Sequence, residues 1–199
     1  MDKLSYFKNE LDQLKDPELK NVAEEIINST PEFYFTIPAS TTGNFHPKNE
    51  QVEGGKVLHH RKCFKLASQA GRRYELNTKD MEILKTACLL HDIPYCFYYD
   101  EKESRYRTDP EHAQKSAEAI ALVADRILTP ENESLTLKKL VASVYFHMGI
   151  WAKYNPESNL YKELLEFKNH PLVLATQECD FYCSRRFIDI ELEEEKVNG

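Results

Sequence analysis

Residues 87–93 run Ala87-Cys88-Leu89-Leu90-His91-Asp92-Ile93: four apolar positions, an imidazole and a carboxylate side by side, then a return to apolar. Polar groups this close to an apolar run lose hydration that pairing or metal ligation must replace. Upstream, Met81, Ile83, Leu84 and Ala87 place apolar residues at helical intervals, Asn77 or Thr78 supplies an N-cap, and Pro94 stops the segment. The stretch is therefore read as a core helix that ends on His91-Asp92.

Outward from this helix the chain reads as nearly all helix. Leu4, Phe7, Leu11 and Leu14 recur at helical spacing, and Asp16-Pro17, a cap followed by proline, opens a helix to about Ser29. Residues 31–55, with Pro38, Gly43, Pro47, Gly54 and Gly55, form a long irregular stretch of the kind that is usually functional or disordered in a compact domain. Further helices are expected at 56–69, at 110–128 behind Asp109-Pro110, from Ser134 or Thr136 to about Gly149, at 160–167 and at 171–187. No alternating run of useful length marks a strand, and there is no internal repeat.

On this map the metal-capable residues fall on successive helices. His59 lies early in one, His91-Asp92 end the next, His112 opens another, His147 closes a fourth and Asp180 lies within the last. Facing helices of a bundle build metal sites from such inward side chains. Spacing alone does not choose between His59 and His60.

The series His59 … His91-Asp92 … His112 … His147 … Asp180 resembles the HD superfamily of metal-dependent phosphohydrolases, over about residues 54–186. Gly54-Gly55-Lys56-Val57-Leu58-His59 is similar to the Gly-Gly-x-x-x-His segment of one branch. Residues 87–93 are similar to the central motif, His112-Ala113 with Ser116-Ala117 to the third block, His147-Met148-Gly149 to a fourth, and Asp180 with Ser184-Arg185 to the terminal block. The resemblance implies an all-α, single-domain helical bundle of the HD type. Residues 1–55 would pack N-terminal helices and a substrate-side loop on a metal-binding core of 56–190, with 191–199 as an acidic tail.

It also implies a ligand set. His59, rather than His60, would join His91, Asp92 and Asp180 on one metal ion, Asp92 would bridge, and His112 and His147 would hold a second. Two divalent transition-metal ions are thus expected. Mixed imidazole and carboxylate donors suit iron or manganese, and zinc, cobalt and nickel are compatible. Such a pair generates a hydroxide near neutral pH and neutralises phosphoryl oxygens. Met148 stands where a second histidine would add a ligand, so no third ion is expected. Many relatives continue His-Asp-Ile with Gly-Lys, whereas Ile93 is followed by Pro94-Tyr95. Another cation must meet the phosphate, and the candidates are Arg61, Lys62, Lys115 and Arg185; Lys115 and Arg185 are assigned with Asp92 to catalysis, and Lys62 to substrate binding.

The early loop Pro38-Ala39-Ser40-Thr41-Thr42-Gly43-Asn44-Phe45-His46 resembles the segment before the Gly-Gly block in HD-type 3′–5′ exoribonucleases of Gram-positive bacteria. Ser40, Thr41, Thr42 and His46 are accordingly assigned to substrate binding. The balance of charge limits that reading. Net charge is −7, and five acids against one lysine fall in the last eleven residues. No basic stripe exists to hold a polymeric nucleic acid by counterion release. A small phosphate ester, a nucleotide above all, is the expected substrate; a 3′–5′ exonuclease and a non-catalytic metal-stabilised regulatory module are the alternatives. No apolar run spans a bilayer and no secretory core opens the chain, so a membrane partner is not expected and the cytoplasm is. The five cysteines, odd in number, argue against a disulfide framework, and Cys179 and Cys183 are read as core thiols.

Overall fold

The computed structural model describes residues 2–188 and 190–192, except for the side chains of 131–134. Most of the expected acidic tail lies outside the described residues. The order is α1 (Lys8–Gln13), α2 (Pro17–Ser29), α3 (Gly55–Arg73), α4 (Thr78–Leu90), β1 (Phe97–Asp100), β2 (Arg105–Thr108), α5 (His112–Ile127), α6 (Pro130–Tyr145), α7 (Asn159–Leu164) and α8 (Pro171–Cys183), with short 3-10 turns at Lys3–Phe7, Glu32–Phe35, Lys48–Glu50, Gly149–Trp151 and Leu165–Phe167. The expectation of an all-α bundle holds.

Helix α4 is central, packing against α2, α3, α6 and α8. Its sequence dictates this: Ile83, Leu84, Ala87, Cys88, Leu89 and Leu90 are all buried, leaving little polar face to hydrate. Asn77 caps it by accepting the Asp80 amide at 2.9 Å. Helix α2 presents Leu19, Val22, Ala23, Ile26 and Ile27 inward. Its cap Asp16 accepts the Glu18 and Leu19 amides and is paired with Lys79 of α4 at 2.6 Å. Phe7, Leu11 and Leu14 join the same core as α3–α8, so the first 55 residues pack directly on the helices that carry the histidines.

Several boundaries differ from the sequence reading. Helix α6 begins at Pro130, since Thr129-Pro130 is another cap-and-proline start. Helix α5 begins at His112 rather than at Pro110, because Asp109 accepts the Glu111 amide at 2.8 Å and makes a turn first. Helix α3 runs on to Arg73, and α8 ends at Cys183.

The sequence marks no strand, yet the segment after Pro94 forms a hairpin. Strands β1 and β2 pair antiparallel, with Phe97 opposite Thr108 and Tyr99 opposite Tyr106. Four-residue strands are too short to display an alternating pattern. They are held by cross-strand contacts: the Tyr99 and Tyr106 rings meet edge-on at 5.3 Å, and Arg107 pairs with Asp100 and Glu103. The Phe33 ring stacks on Tyr106 at 4.7 Å, tying the hairpin to the early segment.

The Gly54-Gly55 pair explains how that segment reaches the core. Gly54 adopts a left-handed φ of +75°, and a Cβ on Gly55 would lie 1.9 Å from the Glu50 carbonyl oxygen. Only glycine lets residues 47–51 lie against the start of α3.

Candidate metal centre

Five elements converge on one buried cluster. His59 comes from the second turn of α3, His91 and Asp92 from the end of α4, His112 from the first turn of α5, His147 from just past α6, and Asp180 from the last turns of α8. The four histidines and Asp92 are at most 5% exposed, while Asp180 is 21% exposed at its side chain and forms the open edge.

Backbone carbonyls orient three of the rings. The Nδ1 atoms of His91, His112 and His147 lie 3.0, 2.6 and 2.7 Å from the carbonyl oxygens of Cys88, Asp109 and Val144. A carbonyl only accepts, so Nδ1 carries a proton and Nε2 is the ring atom turned inward. This is how metal-binding imidazoles are held. The inward atoms then face carboxylate oxygens: Asp92 Oδ1 is 3.1 Å from His112 Nε2 and 3.3 Å from His147 Nε2, and Asp180 Oδ1 is 3.3 Å from His59 Nε2 and 3.6 Å from His91 Nε2. Asp92 Oδ1 is buried without a hydrogen-bond partner. Nitrogens and carboxylate oxygens gathered in this way call for positive charge among them, and a divalent metal ion fits the donor set. His59, His91 and Asp180 could hold an ion on one side of Asp92, and Asp92, His112 and His147 one on the other.

Electrostatics agree with a demand for positive charge. Burial alone would raise the Asp92 carboxyl, yet Lys56, His91 and His112 hold it well below the ordinary carboxylate range. Burial also opposes charge on His59, but hydrogen bonds to Asp180 and Glu50 push it up to about 10. A proton there answers the same need that a metal ion would.

Two further residues complete the centre, and the sequence reading passed over both. Lys56, 2% exposed, pairs with Asp92 Oδ2 and lies 5.2 Å over the Phe97 ring of β1. It is one helical turn before His59 on the same face of α3. Glu50, fully buried, lies 3.5 Å from His59 Nδ1, 2.8 Å from His46 Nδ1 and 3.0 Å from Lys62 Nζ. It is the carboxylate behind the His59 ring. Burial raises its carboxyl, but hydrogen bonds from His46 and His59 outweigh this and bring it down to about 2. The only signal for Glu50 was an acid four residues after His46 and close before the Gly-Gly pair.

The remaining assigned residues divide by placement. His46 is buried against His59, with ring centroids 4.7 Å apart. Lys62 is buried and turned to Glu50 and Asn49. Lys115, one turn after His112 on α5, pairs with Asp109 at 2.7 Å and with Glu111 at 3.4 Å and is half exposed. Arg185 folds back onto its own helix end, bonding the Phe181 carbonyl at 3.0 Å and covering the Phe181 ring. Ser40 and Thr42 bond each other, and Thr41 reaches Thr108 of β2 at 3.3 Å. The early loop therefore touches the hairpin, whose base is tied to the centre: Cys96 donates to the Asp92 carbonyl and Asp109 to the Cys96 carbonyl.

The family model for the HD domain matches residues 57–175. The chain is an HD-domain protein. This family is one of metal-dependent phosphohydrolases, and the match takes in His59, His91, Asp92, His112 and His147. Asp180 lies five residues beyond it, and the fold of α8 brings it to His59 and His91. No curated protein and no solved structure is similar enough to add to this assignment.

His60 separates the two registers left open by spacing. Its Nε2 is bonded to the Tyr34 hydroxyl at 2.6 Å and its Nδ1 lies 3.4 Å from the Cys88 carbonyl, so although a ring nitrogen comes within 4.8 Å of donors on His91 and Asp92, both nitrogens have other partners. Burial, with the charges of His91 and His59, holds it well below its ordinary value. His59→Ala is expected to remove most bound metal in elemental analysis, whereas His60→Ala keeps its metal and loses stability. Equal metal content in the two variants would contradict this register.

Glu50→Gln should weaken metal binding about 10–100-fold, the usual scale for removing the partner of a liganding histidine. It carries a pH signature in the metal-free protein. A carboxyl lowered to about 2 stabilises the fold fully above its ordinary value of 4.5, and that contribution fades as pH falls toward 2. The stability advantage of wild type over Glu50→Gln should therefore be greatest near pH 5–6, shrink on acidification, and shrink again as pH rises from 6.5 toward 10, where His59 gives up the proton that Glu50 helps to hold, as read by denaturant unfolding.

Proposed function

We propose that this HD-domain protein hydrolyses phosphate esters of nucleotides or related small molecules at a dinuclear centre, with His59, His91 and Asp180 on one ion, His112 and His147 on the other, and Asp92 between them. The observation that supports it most is the convergence of Asp92 Oδ1 with the Nε2 atoms of His112 and His147 at 3.1 and 3.3 Å in a buried cluster. Divalent ions there, iron or manganese by the donor set, supply a hydroxide near neutral pH and neutralise the phosphoryl oxygens. The chain's residues do the rest. Backbone carbonyls and Glu50 fix the rings, Lys56 holds Asp92 in register, and the exposed edge at Asp180 admits the ester. Lys115, beside His112 and half exposed, is the cation best placed to meet a phosphate, with Arg185 at the rim of α8. Ser40, Thr41, Thr42 and the hairpin would border the substrate.

Size and charge favour a nucleotide over a polymer. Net charge is −7, and the exposed Arg105 and Arg107 of β2 are paired with Glu103. A polymer held by many phosphates would lose affinity steeply with salt, whereas a nucleotide would not. Mononucleotides, cyclic nucleotides, dinucleotides and short oligonucleotides assayed with manganese test this. Faster hydrolysis of a mononucleotide or a small derivative is expected, with KM changing less than about threefold between low and physiological salt. Stepwise shortening of RNA or DNA with every small nucleotide left intact would instead establish the exonuclease. No turnover of any substrate by the metal-loaded protein would favour a regulatory module.

A further inference from the structure

Cys63 belongs to the buried core and interacts with Cys183, but it also faces the metal centre. It is fully buried on α3, one turn after His59 and on the same face. Its Sγ lies 3.7 Å from His59 Nε2, the ring atom that faces Asp180 and His91, and all four donor atoms lie within 4.8 Å of one another. Its nearest backbone acceptor, the Cys179 carbonyl, is 3.9 Å away.

Four of the six donor-to-donor spacings match a tetrahedral cage, and the two from Cys63 to His91 and Asp180 lie within 4.8 Å. Bonds of about 2.0–2.2 Å to nitrogen and oxygen and about 2.3 Å to sulfur give ligand-to-ligand edges of about 3.3–3.6 Å. The edges here are 3.2 Å for His59 to His91, 3.3 Å for His59 to Asp180, 3.6 Å for His91 to Asp180 and 3.7 Å for His59 to Cys63. Asp92 borders this side as well, its Oδ2 3.6 Å from His91 Nε2, but that oxygen is also paired with Lys56 and Oδ1 points to His112 and His147, so Cys63 adds a donor beside the shared carboxylate.

We propose that Cys63 is a fourth protein ligand to the ion held by His59, His91 and Asp180, making this side of the centre a sulfur-containing site that prefers zinc or cobalt to manganese. The inference rests on the metal centre proposed above and adds to it the identity of one donor and a metal preference. On binding, the thiol proton leaves to bulk water as the metal–sulfur bond forms, with no change of oxidation state. Thiolate is a softer donor than carboxylate, so its presence separates zinc and cobalt from manganese, which oxygen donors suit. The opposite side, built from Asp92, His112 and His147, has no sulfur among its donors, so the two positions should differ in metal preference.

Cobalt(II) is the probe. Metal-free protein titrated with cobalt should develop a near-ultraviolet sulfur-to-cobalt charge-transfer band at the first equivalent. Cys63→Ser should lose this band while still taking up cobalt. Its zinc affinity should fall at least about tenfold, and its manganese affinity less. Because a buried variant can fail to fold, X-ray absorption on the zinc-loaded wild-type protein gives a second reading: one sulfur scatterer at about 2.3 Å is expected. Cobalt bound without a sulfur band, a band that survives in Cys63→Ser, or zinc with only nitrogen and oxygen neighbours would each overturn the proposal. These outcomes are independent of substrate turnover, so Cys63 can be excluded while the phosphohydrolase reading stands. Failure of every metal to bind would remove both.

Discussion

Asp92→Ala should reduce turnover to background, a loss of about a thousandfold or more, the scale seen when one preorganised charge-stabilising group is removed. Asp92 offers Oδ1 to His112 and His147 and Oδ2 to Lys56, so no neighbour can take over its role. Metal content should fall with activity, because the carboxylate belongs to the donor set on the His112 side. Asp92→Asn keeps the volume but loses the charge. It leaves the Lys56 ammonium buried without a counter-ion, and it should be nearly as inactive. Turnover and elemental analysis on the same preparations check both, and near-wild-type turnover by Asp92→Ala would falsify the assignment of the centre.

Lys56→Met is the second large effect, and it separates stability from chemistry. Breaking a buried ion pair by removing one partner costs about 3–5 kcal/mol, because the other charge stays buried. Lys56 also covers the Phe97 ring, and Met retains most of that packing. The metal-free variant should therefore unfold about 3–5 kcal/mol more easily in denaturant. Saturating manganese should recover part of this loss, since an ion beside Asp92 supplies the positive charge that the lysine gave, and ligand binding to the native state adds its own stabilisation. An unchanged midpoint in metal-free protein would mean that the ammonium and Asp92 are not paired. Equal losses with and without metal would mean that no ion lies near Asp92.

The parts of the molecule that could be read from the sequence share a physical cause. The helical bundle was legible because α2 and α4 carry apolar residues at helical spacing behind caps at Asp16 and Asn77, and α8 opens on Pro171. The order of the histidine and aspartate blocks was legible because histidine is scarce, with seven in the chain, and most of these residues sit near a helix end. Lys56 and Glu50 were not. Lysine and glutamate abound on protein surfaces, and only the close approach at Gly55 puts Glu50 behind His59. The hairpin escaped because its strands are held by pairs across the turn, which local periodicity does not encode. The directions of Lys62, Lys115 and Arg185 were equally hidden, since Glu50, Asp109 and the Phe181 carbonyl decide where those long side chains lie.

The central claim is that one buried carboxylate separates two metal positions. Crystals of the protein loaded with manganese or iron, measured at the absorption edge of the metal, test it most directly. Two anomalous peaks per chain are expected, about 3.5–4 Å apart, one bounded by His59, His91 and Asp180 and the other by His112 and His147, with Asp92 between them. Absence of any peak inside this cluster, in protein that takes up the same ion in solution, would contradict the account.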